Sequence, residues 1–339
     1  MGSLISYSGI STKIRAMERW RISDAQFAQM AALESVPEAV RFLMKLPPYE
    51  AIFKGLEEKD LHRGIIEQQL NLSQYQDFAK LYKFADRKQR RFLELYFMHY
   101  EIGILKTCLR NVAGNREQQQ DLSVFREFFD RHSRVCLENL EGCKSIGQFI
   151  ENMKESPYYG VLSALQDKGK ALLPACENAM DMLYFKSMWK AKDKYLSKKE
   201  KKIIEQCFGT RMDMLNLQWI VRCKKYYRLS AAEIYTVIIP VSLHLTKADI
   251  RAMAEADTLE KVYGLIRASW YGRLEAVREG EGQRLEGLSR EIIDRVYQVT
   301  SRREPYSIAA LNSYLYFKER EIERIITTIE RIRYGVAAT

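Results

Sequence analysis

An all-helical protein made of three similar units is the fold class this sequence predicts, and three observations point to it. Residues 22–43 slide by 223 positions onto residues 245–266 without a gap: Ile22 falls on Leu245, Ser23 on Thr246, Phe27 on Ile250, Met30 on Met253 and Leu43 on Ile266. A slide of 110 gives a weaker middle copy, with Phe27 on Leu137, Met30 on Leu140, Ser35 on Ser145 and Leu43 on Met153. Self-similarity at a fixed period marks a repeated supersecondary unit. Second, helix-start signals recur at the matched places. Third, apolar residues recur at i, i+3 and i+4, no stretch alternates as a strand would, and only 7 prolines and 17 glycines interrupt 339 residues. Units at residues 1–115, 116–228 and 229–339 follow from the period.

Each unit opens with a short helical hairpin. In the first copy Ser23-x-x-Gln26 and Ser35-x-x-Glu38 both read as capping boxes. In such a box a hydroxyl takes an orphan N–H and the residue three along reaches back. Pro37 lies in the first turn, where its missing N–H costs nothing. The middle copy keeps Ser145-x-x-Gln148, and the last has Thr246-x-x-Asp249, with Asp257 or Thr258 as the next cap. An aromatic corner ends each hairpin: Pro48-Tyr49, Pro157-Tyr158-Tyr159 and Trp270-Tyr271. Proline ahead of an aromatic is expected to stop the helix and turn the chain. The tyrosine there either packs the corner shut or meets a partner. The 110 slide puts Tyr49 on Tyr159, so Tyr49, Tyr159 and Tyr271 are the candidates.

A longer helical pair closes each unit. Its final helix carries an acidic residue and then an apolar stripe: Glu101 before Ile104-Leu105, Asp213 before Asn216-Leu217, Glu321 before Arg324-Ile325. The stripe is expected to bury the helix, and the acid to cap it or to pair with a basic residue of a neighbouring unit. Residues 115–121, polar throughout, read as a connector, and the charged Gly-rich run at 278–283 as a loop inside the third unit. At the second junction, Ser230-x-x-Glu233 starts a helix at once, so that joint is expected to be tight.

With 47% hydrophobic residues the chain can bury real cores. No run of 18 apolar residues occurs, and Pro240 breaks the most apolar stretch, so no transmembrane span is expected. Lys13 and Arg15 have no apolar segment behind them, which argues against a secretory signal. The 6 cysteines are scattered without a CxxC pair, the usage of a reducing compartment. The net charge of +10 is uneven: Lys186, Lys190, Lys192, Lys194, Lys198, Lys199, Lys201 and Lys202 face only Asp193 and Glu200 in the same run. Such a cluster is either a solvated helix face or a surface for an acidic protein, lipid headgroups or nucleic acid. Lys198, Lys199, Lys201 and Lys202 therefore join the three tyrosines as candidate partner contacts.

Chemistry is harder to find. No phosphate-cradling Gly-rich Lys loop occurs, and Gly280-Glu281-Gly282 lacks the preceding strand of a dinucleotide site. His62, His99, His132 and His244 are far apart, and the cysteine spacings match no zinc pattern. No catalytic residue, cofactor or metal is expected, and the repeated stripes read as a scaffold.

Three stretches carry a family resemblance. The opening Tyr7-x-x-x-x-Thr12-Lys13-Ile14-Arg15-Ala16-Met17 resembles the start of the C subunits of the V/A-type rotary ATPases, called d subunits in the eukaryotic vacuolar enzymes. Tyr96-Phe97-x-x-Tyr100-Glu101-x-x-Ile104-Leu105-Lys106 is similar to the aromatic, acidic, Asn-Leu-basic helix of that family. The end, Glu321-x-x-Arg324-Ile325-Ile326 through Arg331-x-Arg333-Tyr334-Gly335, is similar to the family's C-terminus. The pattern's Asn survives only as Asn216; Ile104 and Arg324 replace it elsewhere, so the other two junctions need other contacts.

The resemblance implies three helical domains in a pseudo-threefold, funnel-like arrangement. It also implies a non-catalytic socket between the central-stalk shaft and the proteolipid rotor ring, transmitting torque at the cytoplasmic face of the membrane during ion transport. No nucleic acid and no transmembrane segment belong to that reading. The residues alone also allow a basic helical nucleic-acid-binding protein, which should show steep salt dependence, or a scaffold for soluble partners.

Overall fold

The computed structural model describes residues 2–114, 122–166, 169, 172–274 and 285–335. The expected connector at 115–121 and the Gly-rich loop at 278–283 lie outside the described residues. Helices account for the architecture, with no strand among the described residues. In chain order they are α1 (Gly2–Glu18), α2 (Asp24–Ala31), α3 (Val36–Met44), α4 (Pro47–Phe53), α5 (Arg63–Phe84) and α6 (Arg87–Ala113). Next come α7 (Arg126–His132), α8 (Glu138–Glu141), α9 (Ile146–Glu151), α10 (Tyr159–Ser163), α11 (Leu172–Tyr195) and α12 (Lys198–Arg222). The last are α13 (Ala231–Val237), α14 (Lys247–Glu255), α15 (Leu259–Ala268), α16 (Leu285–Arg303) and α17 (Ile308–Arg333). A short hairpin, a turn and a long pair recur in that order: α2–α3 before α5–α6, α8–α9 before α11–α12, α14–α15 before α16–α17.

The caps explain why these helices begin where they do. Ser35, Ser145 and Thr258 each accept the N–H three residues on, with matching extended backbones (φ −140°, −148° and −127°). Ser23 and Thr246 form complete capping boxes with Gln26 and Asp249. Ser230 and Glu233 complete a third box, whereas at Ser35 and Ser145 the return bond goes elsewhere: Glu38 takes the N–H of Glu34 and Gln148 that of Lys144, one residue ahead of the cap. The middle copy is the most eroded, since α8 has 4 residues and no side-chain cap. The prolines also act differently from expectation. Pro47 and Pro48 open α4, after α3 has already ended at Met44, because fixed φ and a missing N–H suit a first turn.

Packing divides the chain into two compact units, one of residues 1–159 with 310–339 and one of residues 160–309. In the first, α1 lies on α5, and α5 pairs with α6. The hairpin of α2, α3 and α4 shares a core with the last helix: Phe27, Met30, Val40, Leu43, Tyr49 and Phe53 pack with Ile322, Ile325 and Ile329 of α17. A second knot is aromatic. Phe97 of α6 stands 5.5 Å from Phe78, 5.9 Å from Tyr75 and 5.8 Å from Phe129, so α5, α6 and α7 are joined by ring contacts. Each such pair contributes about 0.5–1.5 kcal/mol beyond its burial.

In the second unit α12 runs beside α16 along its length. Lys199–Glu304 (2.7 Å) ties one end and Arg222–Glu286 (3.7 Å) the other, so the two helices are antiparallel. One face of α12 receives the segment between α13 and α14. Gly209 lies there, and a Cβ on it would stand 2.7 Å from Cβ of Leu243. The glycine is needed for that approach, not for its φ.

Two glycine substitutions should therefore move stability in opposite directions. Gly209→Val should cost about 1–3 kcal/mol by overpacking against Leu243. Gly264→Ala, inside α15 with open space around the new methyl, should add about 0.5–1 kcal/mol. Chemical-denaturation midpoints of the two variants against the parent check both signs.

Candidate functional site

The acidic residue of each long helix is buried and holds the hairpin of the next repeat through its tyrosine. In the first unit Tyr49 donates to Oε1 of Glu321, and Tyr158 to Oε2 of Glu101. In the second unit Tyr271 donates to Oδ2 of Asp213 at 2.7 Å. All three phenols are fully buried. Burial first, and the adjacent carboxylate second, push each phenol's pKa up, so each stays protonated and remains a donor.

The backbone contacts repeat too. Glu321 accepts the N–H of Ile22 at 2.9 Å, and Asp213 that of Leu245 at 3.3 Å, and these two residues superpose in the 223 slide. At the middle copy the hydroxyl of Ser133, on Ser23 in the 110 slide, donates to Glu101 instead.

The tyrosine of the middle corner is Tyr158 rather than Tyr159. Met153 to Tyr158 and Ile266 to Tyr271 have the same spacing, whereas Leu43 to Tyr49 is one residue longer, so the 110 slide overshoots by one. A serine two positions back was the available signal: Ser156 accepts the N–H of Tyr158 and Ser269 that of Tyr271, each at 3.3 Å. Tyr159 is half-buried, and its hydroxyl donates to Glu151 at 3.4 Å. Tyr49 and Tyr271 offer no side-chain surface in the described chain, because 0% of each is exposed.

The three junctions differ in how the carboxylate is compensated. Around Glu321 there is a buried ion network: Lys318 lies 3.1 Å from the Tyr49 hydroxyl, 3.8 Å from Glu321 and 3.6 Å from Asp77, and Tyr314 donates to Asp77 at 2.7 Å. Asp213 is held by dipoles, accepting the N–H of Leu243 at 3.0 Å and of His244 at 2.7 Å as well as that of Leu245. Asn216 completes that clamp, donating to the carbonyl of Ile239 at 3.1 Å and accepting its N–H at 2.8 Å. Where Asn is missing, Arg324 pairs with Asp24 at 2.5 Å and covers the ring of Phe27 at 4.0 Å. Glu101 has only two hydroxyls, so burial raises its pKa despite those bonds. Burial raises Asp213 as well, against its backbone donors.

The lysine cluster proves heterogeneous. Lys199 pairs with Glu304, and Lys201 with Asp193 and Glu205. Beneath them Lys192 is buried, 3.0 Å from Glu205 and 4.3 Å over the Trp189 ring. Lys198 and Lys202 are exposed and have no carboxylate within 4.0 Å among the described residues. Among those residues no group of three His, Cys, Asp or Glu side chains is placed to hold a metal ion, and no helix is long and apolar enough to cross a membrane.

The profile of the ATP synthase (C/AC39) subunit matches residues 10–339. The chain belongs to that family. Relatives include the A-type ATP synthase C subunit of Thermococcus kodakarensis, 21% identical over 97% of this chain and 87% of its own length. The C subunits of Pyrococcus horikoshii (24%, over 94% and 84%) and Methanothermobacter thermautotrophicus (20%, over 95% and 83%) are similarly complete matches. A full-length match to an ATP synthase (C/AC39) subunit does not favour the nucleic-acid or free-scaffold readings.

Two outcomes are expected for this C/AC39 chain. Tyr158→Phe should cost about 1–3 kcal/mol by removing one of the two donors to Glu101, while Tyr159→Phe changes the unfolding midpoint little. The raised carboxylates set a pH dependence. A carboxyl that binds its proton more tightly when folded favours the fold while protonated, and that contribution is lost as pH rises from the ordinary value of 4.5 through the raised one. Glu101→Gln keeps an acceptor and removes the charge. Its stability relative to the parent should therefore climb with pH across that window, by about 1.4 kcal/mol per pH unit separating the two values. A difference that stays flat across pH in urea titrations would refute the assignment.

Proposed function

We propose that this chain is a non-catalytic central-stalk subunit of a rotary ATPase, a socket that joins the stalk shaft to the proteolipid rotor ring and carries torque between them. It works at the cytoplasmic face of the membrane, held there by the complex. Family membership supports the ATP synthase assignment. The observation that carries the mechanical role is the Glu321–Tyr49 junction, which fastens the last helix to the first hairpin across 272 positions of chain. A torque adaptor has to resist separation of its helices under load. Tying α17 to the first hairpin through a buried, hydrogen-bonded carboxylate opposes that separation. Tyr49 and Tyr271 serve in this reading by holding corners, while Tyr159 and the lysines supply surface.

Tagged protein purified from detergent-solubilised membranes of its own source should bring down both the rotor-ring proteolipid and the stalk subunits. Recovery of neither from intact membranes would reject the coupling role.

The lysines separate into two classes under the same assay. Lys198→Glu with Lys202→Glu should weaken capture of acidic stalk subunits about tenfold and leave the melting temperature unchanged, with the effect shrinking at high salt. Lys199→Glu with Lys201→Glu should also lower the melting temperature, because it breaks the pairs with Glu304, Asp193 and Glu205.

A further inference from the structure

The end of α12 away from the lysine cluster has a different chemistry. From Trp219 to Arg228 the sequence places Arg222, Lys224, Lys225 and Arg228 among Trp219, Tyr226 and Tyr227, with no carboxylate. The helix loosens there into a π turn at Cys223–Tyr227, stopped by Arg228 at φ 51°, the one non-glycine residue with positive φ among the described residues. A bulky side chain is disfavoured in that region, so the turn is held in a costly shape. Its effect is to throw Lys225, Tyr226, Tyr227 and Arg228 outward in succession, with both tyrosines 64% exposed. These four consecutive exposed residues form an outward-facing tip at the end of the helix.

The neighbouring charged groups are already engaged. Arg222 pairs with Glu286 at 3.7 Å, and Lys224 donates to the carbonyl of Ala256 at 2.6 Å. Nearby Glu255 is taken by Arg251 and Asp257 by Lys261. Lys225 lies 5.1 Å over the ring of Tyr226, and neither it nor Arg228 has a carboxylate within 4.0 Å among the described residues. The tip is therefore two phenols flanked by two uncompensated cations.

We propose that this tip is a contact for an anionic membrane surface, with Tyr226 and Tyr227 entering the headgroup layer and Lys225 and Arg228 meeting lipid phosphates. Tyrosine has an apolar body and a polar end, which suits the boundary between headgroups and acyl chains. Lysine and arginine add attraction to acidic lipids. An acidic protein would also attract the cations, but anchoring aromatics at protein interfaces sit in desolvated pockets ringed by further contacts. Here both phenols are largely exposed, with Lys225 and Arg228 beside them. The contact is independent of the coupling role and stands or falls separately from it.

Sedimentation of the full chain with vesicles of about one-third phosphatidylserine in phosphatidylcholine tests this. Tyr226→Ser with Tyr227→Ser leaves the charge unaltered and should reduce the bound fraction about tenfold. Lys225→Glu with Arg228→Glu should reduce it at least as much. Lys198→Glu with Lys202→Glu, the same charge change at the other end of α12, should stay within about twofold of the parent. All six positions are on the surface, and circular dichroism melts confirm that the variants fold. Absence of binding to the anionic vesicles overturns the proposal. So does equal loss in all three variants, which is diffuse attraction of a basic protein. Tyrosine-dependent retention on polyglutamate beads without vesicle binding makes the tip a protein site and also overturns it.

Discussion

A buried carboxylate at the middle of a long helix is the constraint on which much of this structure depends. Left alone in an apolar interior such a group would cost several kcal/mol or take up a proton. Glu101, Asp213 and Glu321 each offset part of that cost by drawing hydrogen-bond donors from a hairpin elsewhere in the chain. The demand for donors selects which hairpin packs there and in what register. Apolar contacts alone would tolerate a slide of one turn; a carboxylate that must meet a phenol does not. At Glu321 and Asp213 the same carboxylate also takes a backbone N–H at the start of the hairpin, so both ends of the hairpin are set by one side chain.

The three junctions reach the same geometry by different electrostatics. Glu321 has Lys318 within the interior, Asp213 has three backbone N–H groups, and Glu101 has two hydroxyls. At the first, Lys318 is shared between Glu321 and Asp77; at the second and third, burial outweighs the backbone N–H groups and the hydroxyls and raises the pKa of the acid. Among the described residues, the junction between α17 and the first hairpin is the one of the three with a lysine beside its carboxylate.

Charge on the outside is sorted as well. At the N-terminal end of α12, Lys199 and Lys201 are taken up by Glu304, Asp193 and Glu205, leaving Lys198 and Lys202 outward. At its C-terminal end the cations stand among exposed tyrosines. Over 25 residues the helix spans roughly 37 Å, at 1.5 Å per residue. One helix thus presents a purely ionic surface at one end and an aromatic, cationic one at the other, and the two differ in range, since screening weakens the first and contact area sustains the second.

By itself the sequence determined the helical class, the threefold recurrence, most helix starts and the family. These rest on local rules, such as a hydroxyl beside orphan N–H groups or apolar spacing along one helix, and neighbours in sequence satisfy them. It also placed an acid in each long helix and a tyrosine at each corner. Only the tertiary structure decided that the two meet, and across repeats: Glu101 with Tyr158, Asp213 with Tyr271, Glu321 with Tyr49. The partners stand far apart in the chain, and a one-residue difference before Tyr49 hid Tyr158 from a fixed slide. Likewise the lysine run read as uniform, because ion pairs such as Lys199–Glu304 form between helices and sequence order says nothing of who faces whom. Local hydrogen bonds can be read along the chain, whereas the cost of burying a charge is settled only by what folds over it.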